Sequence, residues 1–365
     1  MIHNLNAESS AMHSNLNEIL FFTVFIVFIL SMLLIDLGVF QKKNHALSFR
    51  ESLTWTLIWV GISIAFYILI RYHGNWIHGS DTLEAIQNRI NTFNHPIKID
   101  GLTVQQAIDV YNKNLSLEYL TGYLIEYSLS VDNVFVIIMI FLSFKIEPKY
   151  FKRVLFWGIL GAIVMRFLFI FAASALIQRF AWFLYVFGGL LVIIGFKMAF
   201  EFLFSEKEER IDTEKHFIVR LVARFFNVTH DEHAETFFIR KKKKLYVTHL
   251  FIVLMIIEFT DVLFAIDSVP AVFSVTQDPY IVFFSNIFAI LGLRSLFFLI
   301  MDIVNRFHYL KMGLAVLLTF VGAKMLLHDV LKISTNHSLI IIASILVISV
   351  LASNFRNVIL KSRIK

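Results

Sequence analysis

The sequence contains no cysteine, and only 16% of its 365 residues are charged. Without thiols the chain cannot form disulfides, bind metals through thiolates or use a cysteine nucleophile. Hydrophobic residues make up 58% of the chain and its mean hydropathy is +0.73, whereas soluble proteins stay near half apolar. These residues form blocks of about twenty, long enough to cross a hydrocarbon core of roughly 30 Å. The composition therefore predicts a helical membrane protein, and no nucleic-acid binding is inferred from the net charge of +6.

The apolar blocks predict nine membrane-spanning helices in an all-α fold. The first block lacks the basic segment of a signal peptide and is too long for its apolar core, so it is expected to remain as a span. The nine lie at about 19–40, 53–72, 117–143, 152–177, 181–203, 247–275, 280–301, 308–328 and 337–355.

Two long polar insertions and a repeated pattern divide the chain into six predicted parts. They are 1–72 with two spans, the polar insertion 73–116, the first repeat 117–203, the basic insertion 204–246, the second repeat 247–331, and the last span with its basic tail at 332–365.

Lysine and arginine are concentrated in alternate loops, which predicts the orientation of the chain. Examples are Lys42 and Lys43 after the first span, the run "RKKKK" at 240–244, and Lys361 and Lys365 in the tail. Because basic loops stay on the cytoplasmic side, the N-terminus is expected outside and the C-terminus inside. This orientation places the insertion 204–246 in the cytoplasm and the insertion 73–116 outside.

Histidines occur in both insertions, but their spacing does not favour a metal site. His73, His78 and His95 lack metal-ligand spacing, and we interpret them as polar loop residues. His230 and His233, in "THDEHAE", fit a solvated charged turn better than a metal sensor. In the first insertion, "TLEAIQNRI" predicts a short amphipathic helix.

The two halves of the chain carry charged residues in the same order, which indicates an inverted repeat of three helices each. Glu126 and Asp132 lie six residues apart in the first half, as do Asp261 and Asp267 in the second. Because each repeat has an odd number of helices, the repeats are expected to cross the membrane in opposite directions. The other matched pairs are Asn133 with Ser268, Arg166 with Arg294, and Lys197 with Lys324.

Acidic groups in the middle of a span are costly unless paired, so they are expected to face the interior of the bundle. They could pair with those arginines and lysines alone, or they could also bind a cation. Five carboxylates outnumber the four cations, which favours a bound cation. Glu126 and Asp132 point about 120° apart on a regular helix, so one is expected to bind the ion, with Asp132 preferred, and the other to pair with a cation. The five are Glu126, Asp132, Glu258, Asp261 and Asp267.

The donor types in this set favour a hard divalent ion. Asn133 and Ser268 add amide and hydroxyl oxygens to the carboxylates, a combination that suits Mn²⁺, Mg²⁺ or Ca²⁺. Pro270 removes a helical amide donor and is expected to unwind its span locally, freeing the carbonyl of Ile266. The aspartates lack the flanking residues of intramembrane aspartyl proteases, so no enzyme is expected.

Several stretches resemble the TerC family of integral membrane proteins, especially its Alx-like branch. They are "LLIDLGVF", "LTGYLIEYSLSVDNVFV", "EFTDVLFAIDSVPAVFSVTQDPYIVF" and "SNIFAILGLRSLFFLI", within about residues 20–330. The resemblance implies a bacterial inner-membrane protein of the LysE-like transporter superfamily, linked to manganese export, metal homeostasis or tellurium resistance. It carries the acidic motif of the family onto Glu126, Asp132, Asn133, Asp261, Asp267 and Ser268. It also matches Asp36 to an acid that either serves ion access or proton transfer, or ends a helix at the interface.

The expected function is export of a divalent cation, most of all Mn²⁺, by alternating access. The transport is expected to be coupled to protons and to need no permanent cofactor. The rival hypothesis is a non-transporting membrane partner that delivers metal to exported proteins or scaffolds them. Such a partner would dock through one of the insertions, so deleting residues 206–239 should abolish its function and spare transport. The oligomeric state does not follow from the sequence.

Overall fold

The structure is a computed structural model that describes most of the chain. The described residues are 18–35, 49–180, 182–204, 224, 226–228, 236–241, 244–301, 309–327, 330 and 335–363. The positions Asp36, His230 and His233 discussed above lie outside these ranges.

Helices account for nearly all of the described residues, because a backbone in lipid must satisfy its hydrogen bonds within its own segment. They are α1 Glu18–Ile35, α2 Phe49–His73, α3 Asn75–His78, α4 Leu83–Phe93, α5 Val104–Ser143, α6 Pro148–Arg179, α7 Phe183–Phe204, α8 His249–Phe273, α9 Pro279–Leu291, α10 Leu293–Met301, α11 Leu310–Leu326 and α12 Thr335–Arg363.

The chain is a multi-pass membrane protein. Within the described residues, seven helices are long and apolar enough to cross a bilayer, and an eighth span results if α9 and α10 are counted together. These two helices meet at an angle of 40°. A shorter apolar helix lies at Met312–Leu326. The count of nine spans and the inverted repeat stay predictions.

A small sheet forms in the basic insertion, for which no strand was predicted. Its strands are β1 Asn227–Val228, β2 Phe238–Lys241 and β3 Lys244–Val247, in the order β1-β3-β2. Strands β2 and β3 form an antiparallel hairpin, and β1 pairs parallel to β3. Since β3 leads directly into α8, the sheet marks one end of the bundle, which we call the sheet end.

The insertion 73–116 marks the opposite end, which we call the insertion end. There, the ring of His78 contacts Asp278, immediately before α9. At the sheet end, Nε2 of His249 lies 3.0 Å from the carbonyl oxygen of Phe144, and this contact joins the start of α8 to the end of α5. Helices α5 and α9 therefore run from the insertion end toward the sheet end, whereas α6 and α8 run the other way.

The insertion 73–116 folds onto the bundle instead of extending away from it. The amphipathic helix predicted from "TLEAIQNRI" is confirmed as α4, which buries Ile86, Ile90 and Phe93. The interpretation of His78 and His95 as polar loop residues is wrong, because both side chains are buried. Helix α5 begins at Val104 instead of near residue 117, so it connects the insertion to the bundle without a break.

The bend in the second half occurs at a different residue from the predicted one. Helix α8 continues through Pro270 to Phe273, so the predicted unwinding is wrong. Pro270 lies in the last turn, where the lost hydrogen bond interrupts little of the helix. The chain instead bends after Leu291, at Gly292, between α9 and α10.

Glycines allow α7 and α11 to pack with their backbones in contact. Gly188 of α7 lies against Gly322 of α11, while Gly195 lies against Ala315 and Thr319. Increasing residue numbers on α7 meet decreasing numbers on α11, so the two helices are antiparallel. Small residues at such contacts are typical of helix pairs in membranes.

Replacing Gly322 with alanine is expected to lower the midpoint of thermal unfolding in detergent. A Cβ atom at this position would lie 2.6 Å from the carbonyl oxygen of Gly188 and 2.8 Å from the amide nitrogen of Val192. Both are backbone atoms, so the helices must separate, at a cost of about 1–3 kcal/mol. Gly189→Ala is the control, since its Cβ meets nothing within 4 Å. An equal or higher midpoint for Gly322→Ala than for the control would contradict the close packing.

Candidate ion-binding site

A fully buried arginine joins the two acidic motifs at the centre of the bundle. Arg166 of α6 donates to Glu126 of α5 through Nη1 and to Asp261 of α8 through Nη2, the latter at 3.3 Å. Its Nη1 also lies 2.7 Å from Oδ1 of Asn286 on α9 and 3.4 Å from Oγ of Ser268 on α8. Four helices therefore meet at this one guanidinium.

Small residues on α6 bring α8 close enough for these contacts. A side chain at Gly158 would meet Ile257, and one at Gly161 would overlap the carboxylate of Glu258. Glu258 therefore lies directly against the backbone of α6, one turn before Asp261. Gly161 thus makes room for the acidic side chain of Glu258, which a larger residue would exclude.

The carboxylates around Arg166 outnumber its guanidinium. Glu126 and Arg166 are fully buried, Asp261 is mostly buried, and Asp267 lies within Coulombic range of both Glu126 and Arg166. When ionised, these three carboxylates exceed the single guanidinium by two negative charges. An uncompensated buried charge is costly, and one divalent cation carries the charge that would compensate it.

Several polar atoms at this centre have no hydrogen-bond partner among the described residues. They are Oε2 of Glu126, Oδ2 of Asp261, Nδ2 of Asn133 and Nε of Arg166. Buried polar atoms are nearly always paired, so these atoms are candidates to contact an ion or a water molecule. The two carboxylate oxygens are the atoms of this group that could accept a cation.

A cavity adjoins the centre and extends toward the sheet end. Asp261 and Asn133 supply its polar surface. Most of the other lining residues lie on the sheet-end side of the residue of their helix that contacts Arg166. Phe264 on α8 is the exception, and Leu293 is the first residue of α10. The other lining residues are Ile137, Leu155, Gly158, Ile159, Ala162, Ile257, Phe264, Ile290 and Leu293.

The structure brings together part of the predicted site. Glu126, Asp261 and Ser268 converge on Arg166, as an ion site or a charge network requires. Glu126 is the acid of α5 that pairs with an arginine in the structure. Asp132 lies in α5, but its side chain is outside the described part of the structure.

The remaining predicted cations lie away from this centre. Lys197 is 75% exposed, and its Nζ lies 3.7 Å from Glu201 one turn along α7. It points away from the face of α7 that packs on α11, so it takes no part in the network around Arg166. Lys324 lies near the insertion end, within Coulombic range of Glu118. Arg294 is buried in α10, next to the cavity residue Leu293.

Asn286 is the contact of Arg166 that the sequence did not predict. It is fully buried in α9, and its amide nitrogen donates to the carbonyl oxygen of Val282 at 3.0 Å. This bond orients its oxygen toward Arg166. The available signal was a lone amide in the apolar block 280–301.

The described side chains do not form a ready-made metal site. Within the part of the chain that the structure describes, no three His, Asp or Glu side chains could hold a metal ion together. Arg166 instead occupies the space between Glu126 and Asp261. In this conformation the guanidinium is the cation of the site.

Comparison with known proteins decides the family. The profile of the "Integral membrane protein TerC family" matches residues 111–363, more than half of the chain. The chain belongs to the TerC family. The matched region of this TerC protein contains both acidic motifs, Arg166 and Asn286.

Relatives of this TerC protein match it along nearly its whole length. A membrane protein of Myxococcus xanthus, described as uncharacterized, is 40% identical over 90% of each chain. Proteins named "Putative membrane-bound redox modulator Alx" are 40% identical in Photorhabdus laumondii and 39% identical in Escherichia coli K12, over 91% of this chain and 94% of theirs. No solved structure matches the chain.

Proposed function

We propose that this chain exports a divalent cation across the cytoplasmic membrane by alternating access, with Mn²⁺ as the first candidate. The observation that carries the proposal is the buried centre in which Glu126 and Asp261 share Arg166. Its carboxylates outnumber the single guanidinium, and two of their oxygens have no hydrogen-bond partner among the described residues and lie beside a cavity. Ionisable groups inside a membrane bundle are expensive and typically mark transport pathways.

In this proposal Arg166 and the transported ion compete for the same carboxylates. When Arg166 pairs with Glu126 and Asp261, the site is closed to a metal. Release of the guanidinium toward Asn286 or Ser268 would free both carboxylates for the ion. Return of Arg166 would then expel the ion, so the site need not remain charged and empty in the membrane.

The donor set favours a hard ion over a soft one. The carboxylates are joined by the hydroxyl of Ser268 and the amides of Asn133 and Asn286, while no thiol exists in the chain. Oxygen ligands suit Mn²⁺, Mg²⁺ and Ca²⁺. We propose Mn²⁺ first among them because the resemblance to the family implies manganese export, and carboxylates that lose their ion can bind the coupling proton.

The position of the cavity suggests a route for the ion within this proposal. If the N-terminus lies outside, the sheet end faces the cytoplasm, and the cavity beside Asp261 lies on the cytoplasmic side of Arg166. In the proposed cycle the ion reaches Asp261 from the cytoplasm through an opening of this cavity, and it leaves toward the insertion end.

The name of the Alx relatives suggests a second function, modulation of redox state. This chain has no cysteine, so it cannot exchange thiols and disulfides with a partner itself. A change in the cytoplasmic pool of a redox-active metal such as Mn²⁺ would produce such an effect without thiols. Metal export therefore accounts for both proposals.

Cells that produce the chain are expected to contain several-fold less Mn²⁺ than matched cells without it, when both grow in excess Mn²⁺. Mass spectrometry of several metals in the same samples measures the effect and identifies the ion. Cells that produce Asp261→Asn should contain as much metal as cells without the chain. Cells that produce Asp109→Asn, whose exposed aspartate pairs with Arg71, should contain as little as cells with the unmutated chain. Unchanged content of every divalent metal in the producing cells would contradict export.

A further inference from the structure

A second cluster of buried charges closes the insertion end, and the proposed ion site does not use it. Its members come from α1, α3, α5, the segment after α4, and the connection between α8 and α9. We call them the insertion-end cluster, and they are Glu18, His78, His95, Glu118, Thr276 and Asp278.

His78 holds two carboxylates at once. Its Nδ1 lies 3.0 Å from Oε1 of Glu18, and its Nε2 lies 2.7 Å from Oδ2 of Asp278. An ionised carboxylate only accepts hydrogen bonds, so both ring nitrogens must donate and the imidazole must be protonated. Arg89 contacts the other oxygen of Glu18 at 3.3 Å, so two cations balance two carboxylates.

His95 forms a neighbouring pair with Glu118. Its Nδ1 lies 2.9 Å from Oε1 of Glu118, which also accepts from Asn114 at 2.7 Å. The hydroxyl of Thr276 donates to the other oxygen of Glu118 at 2.6 Å. Thr276 belongs to the connection between α8 and α9, so both histidine pairs tie the insertion to this connection.

Local geometry directs His78 into the bundle. Helix α3 is a single turn that is followed by Gly79, whose φ of +59° is one that other residues rarely adopt. Nδ2 of Asn75 donates to Asp81 at 2.7 Å, and Nδ2 of Asn112 donates to Asn75 at 3.2 Å. These contacts fasten the turn to α5 and leave His78 pointing toward Asp278.

Aromatic side chains pack along α9 between Asp278 and Asn286. Within the described residues their rings form one packed layer, in which Tyr280 contacts the ring of His78. For example, the rings of Phe25 and Phe284 lie 4.4 Å apart. The layer includes Phe22, Phe25, Phe66, Phe171, Tyr280, Phe283 and Phe284.

Helix α9 links the cluster to Arg166. Asp278 caps α9, because its Oδ1 accepts from the amide of Tyr280 at 3.0 Å while its Oδ2 faces His78. Eight residues later, a distance of about 12 Å along a helix, Asn286 contacts Arg166. A movement of Asp278 away from His78 would therefore shift the helix that carries Asn286.

We propose that His78 and His95, held by Asp278 and Glu118, form the gate that closes the insertion end of the path, and that α9 couples this gate to Arg166. This inference rests on the proposed transport function, because the path that the gate closes is the path of the transported ion. The gate itself can be tested without any metal. It opens when the histidine pairs separate and α9 moves with Asp278.

The pairs also make the gate sensitive to pH. Burial lowers the pKa of His78, but Asp278 and Glu18 outweigh this effect and raise it to about 9. Burial likewise opposes protonation of His95, yet Glu118 raises its pKa. The other titratable groups that interact electrostatically with the cluster are Arg89, Tyr111, Tyr280 and Lys324. Because the pKa of His78 is raised, the stabilisation of the closed gate is complete below pH 6.5 and is lost as the pH rises through about 9.

The absence of cysteine permits a direct test with single introduced thiols. Ser285→Cys places a thiol in the fully buried part of α9, between the gate and Asn286. Glu84→Cys places one on the exposed face of α4. A membrane-impermeant maleimide is added to proteoliposomes on the side from which Glu84→Cys reacts. The ratio of the two labelling rates measures access through the gate.

The thiol at position 285 is expected to react at least tenfold faster when His78→Ala or Asp278→Asn is added, whereas Asp109→Asn leaves its rate unchanged. A second arm compares pH 7 with pH 10, where the 285-to-84 ratio is expected to rise more with the intact gate than with His78→Ala, which lacks the titrating pair but has the same two thiols. The midpoint of thermal unfolding identifies variants that do not fold, and Asp278→Asn replaces His78→Ala in the comparison if that variant is one of them. Slow labelling at position 285 in both arms would overturn the gate, whether or not the chain transports Mn²⁺.

Discussion

Arg166→Gln is expected to lower the free energy of unfolding by about 3–5 kcal/mol, the usual cost of removing one partner from a buried ion pair. The substitution leaves Glu126 and Asp261 without their shared cation, and Glu126 is completely buried. Titration with sodium dodecyl sulfate in mixed micelles, followed by circular dichroism, measures the change.

Two further variants test whether charge is the cause. Arg179→Gln, at the exposed end of the same helix, is expected to change stability by less than about 0.5 kcal/mol. Glu126→Gln combined with Arg166→Gln should recover part of the loss, because the buried carboxylate is then absent. Equal stability of the Arg166 and Arg179 variants would show that the central ion pair is not what holds the four helices together.

The spans could be predicted because lipid imposes a simple constraint. Any apolar run of about twenty residues must satisfy its own backbone, so helices such as α6 and α8 begin and end near their predicted limits. The bend was harder to place. Pro270 was the obvious breaker, yet it falls in a last turn, whereas the two helices of the next predicted span meet at Gly292.

The sequence predicted which types of residue meet at the central site, but it did not predict which of them pair. Intramembrane charges are expensive, so Glu126, Asp261 and Arg166 were expected to meet. Helical spacing alone could not decide which acid would take the arginine. Asn286 escaped prediction because a neutral amide in an apolar run costs little and has many structural explanations.

The insertion-end cluster could not be predicted because its members are distant in sequence. His78 and Asp278 lie 200 residues apart, and Thr276 and Glu118 lie 158 apart. Each residue taken alone resembles an ordinary loop or helix-end residue. Only the folding of the insertion onto the bundle removes water from both histidines and gives them carboxylate partners.

Asp261→Asn is expected to reduce Mn²⁺ flux about 100-fold or more while the chain stays folded. Even groups that only orient a metal ligand typically contribute 10–100-fold to affinity or activity, and Asp261 is proposed as a direct ligand. Asparagine has nearly the same shape as aspartate and retains one side-chain oxygen. That oxygen can accept from Nη2 of Arg166, which lies 3.3 Å from Oδ1 of Asp261 in the unmutated chain. Lost flux with retained thermal stability therefore separates ion binding from structural pairing.

The most direct test is Mn²⁺ flux into proteoliposomes that contain the purified full-length chain. The wild type and Asp109→Asn are expected to carry Mn²⁺ at equal rates. Both rates are expected to rise when a proton gradient drives protons in the direction opposite to Mn²⁺. Asp132→Asn, Asp261→Asn and Asp267→Asn should each fall close to the rate of liposomes without protein. If the wild type does not exceed empty liposomes for any divalent cation, or if the three aspartate variants match the wild type, the two acidic motifs do not form a transport site.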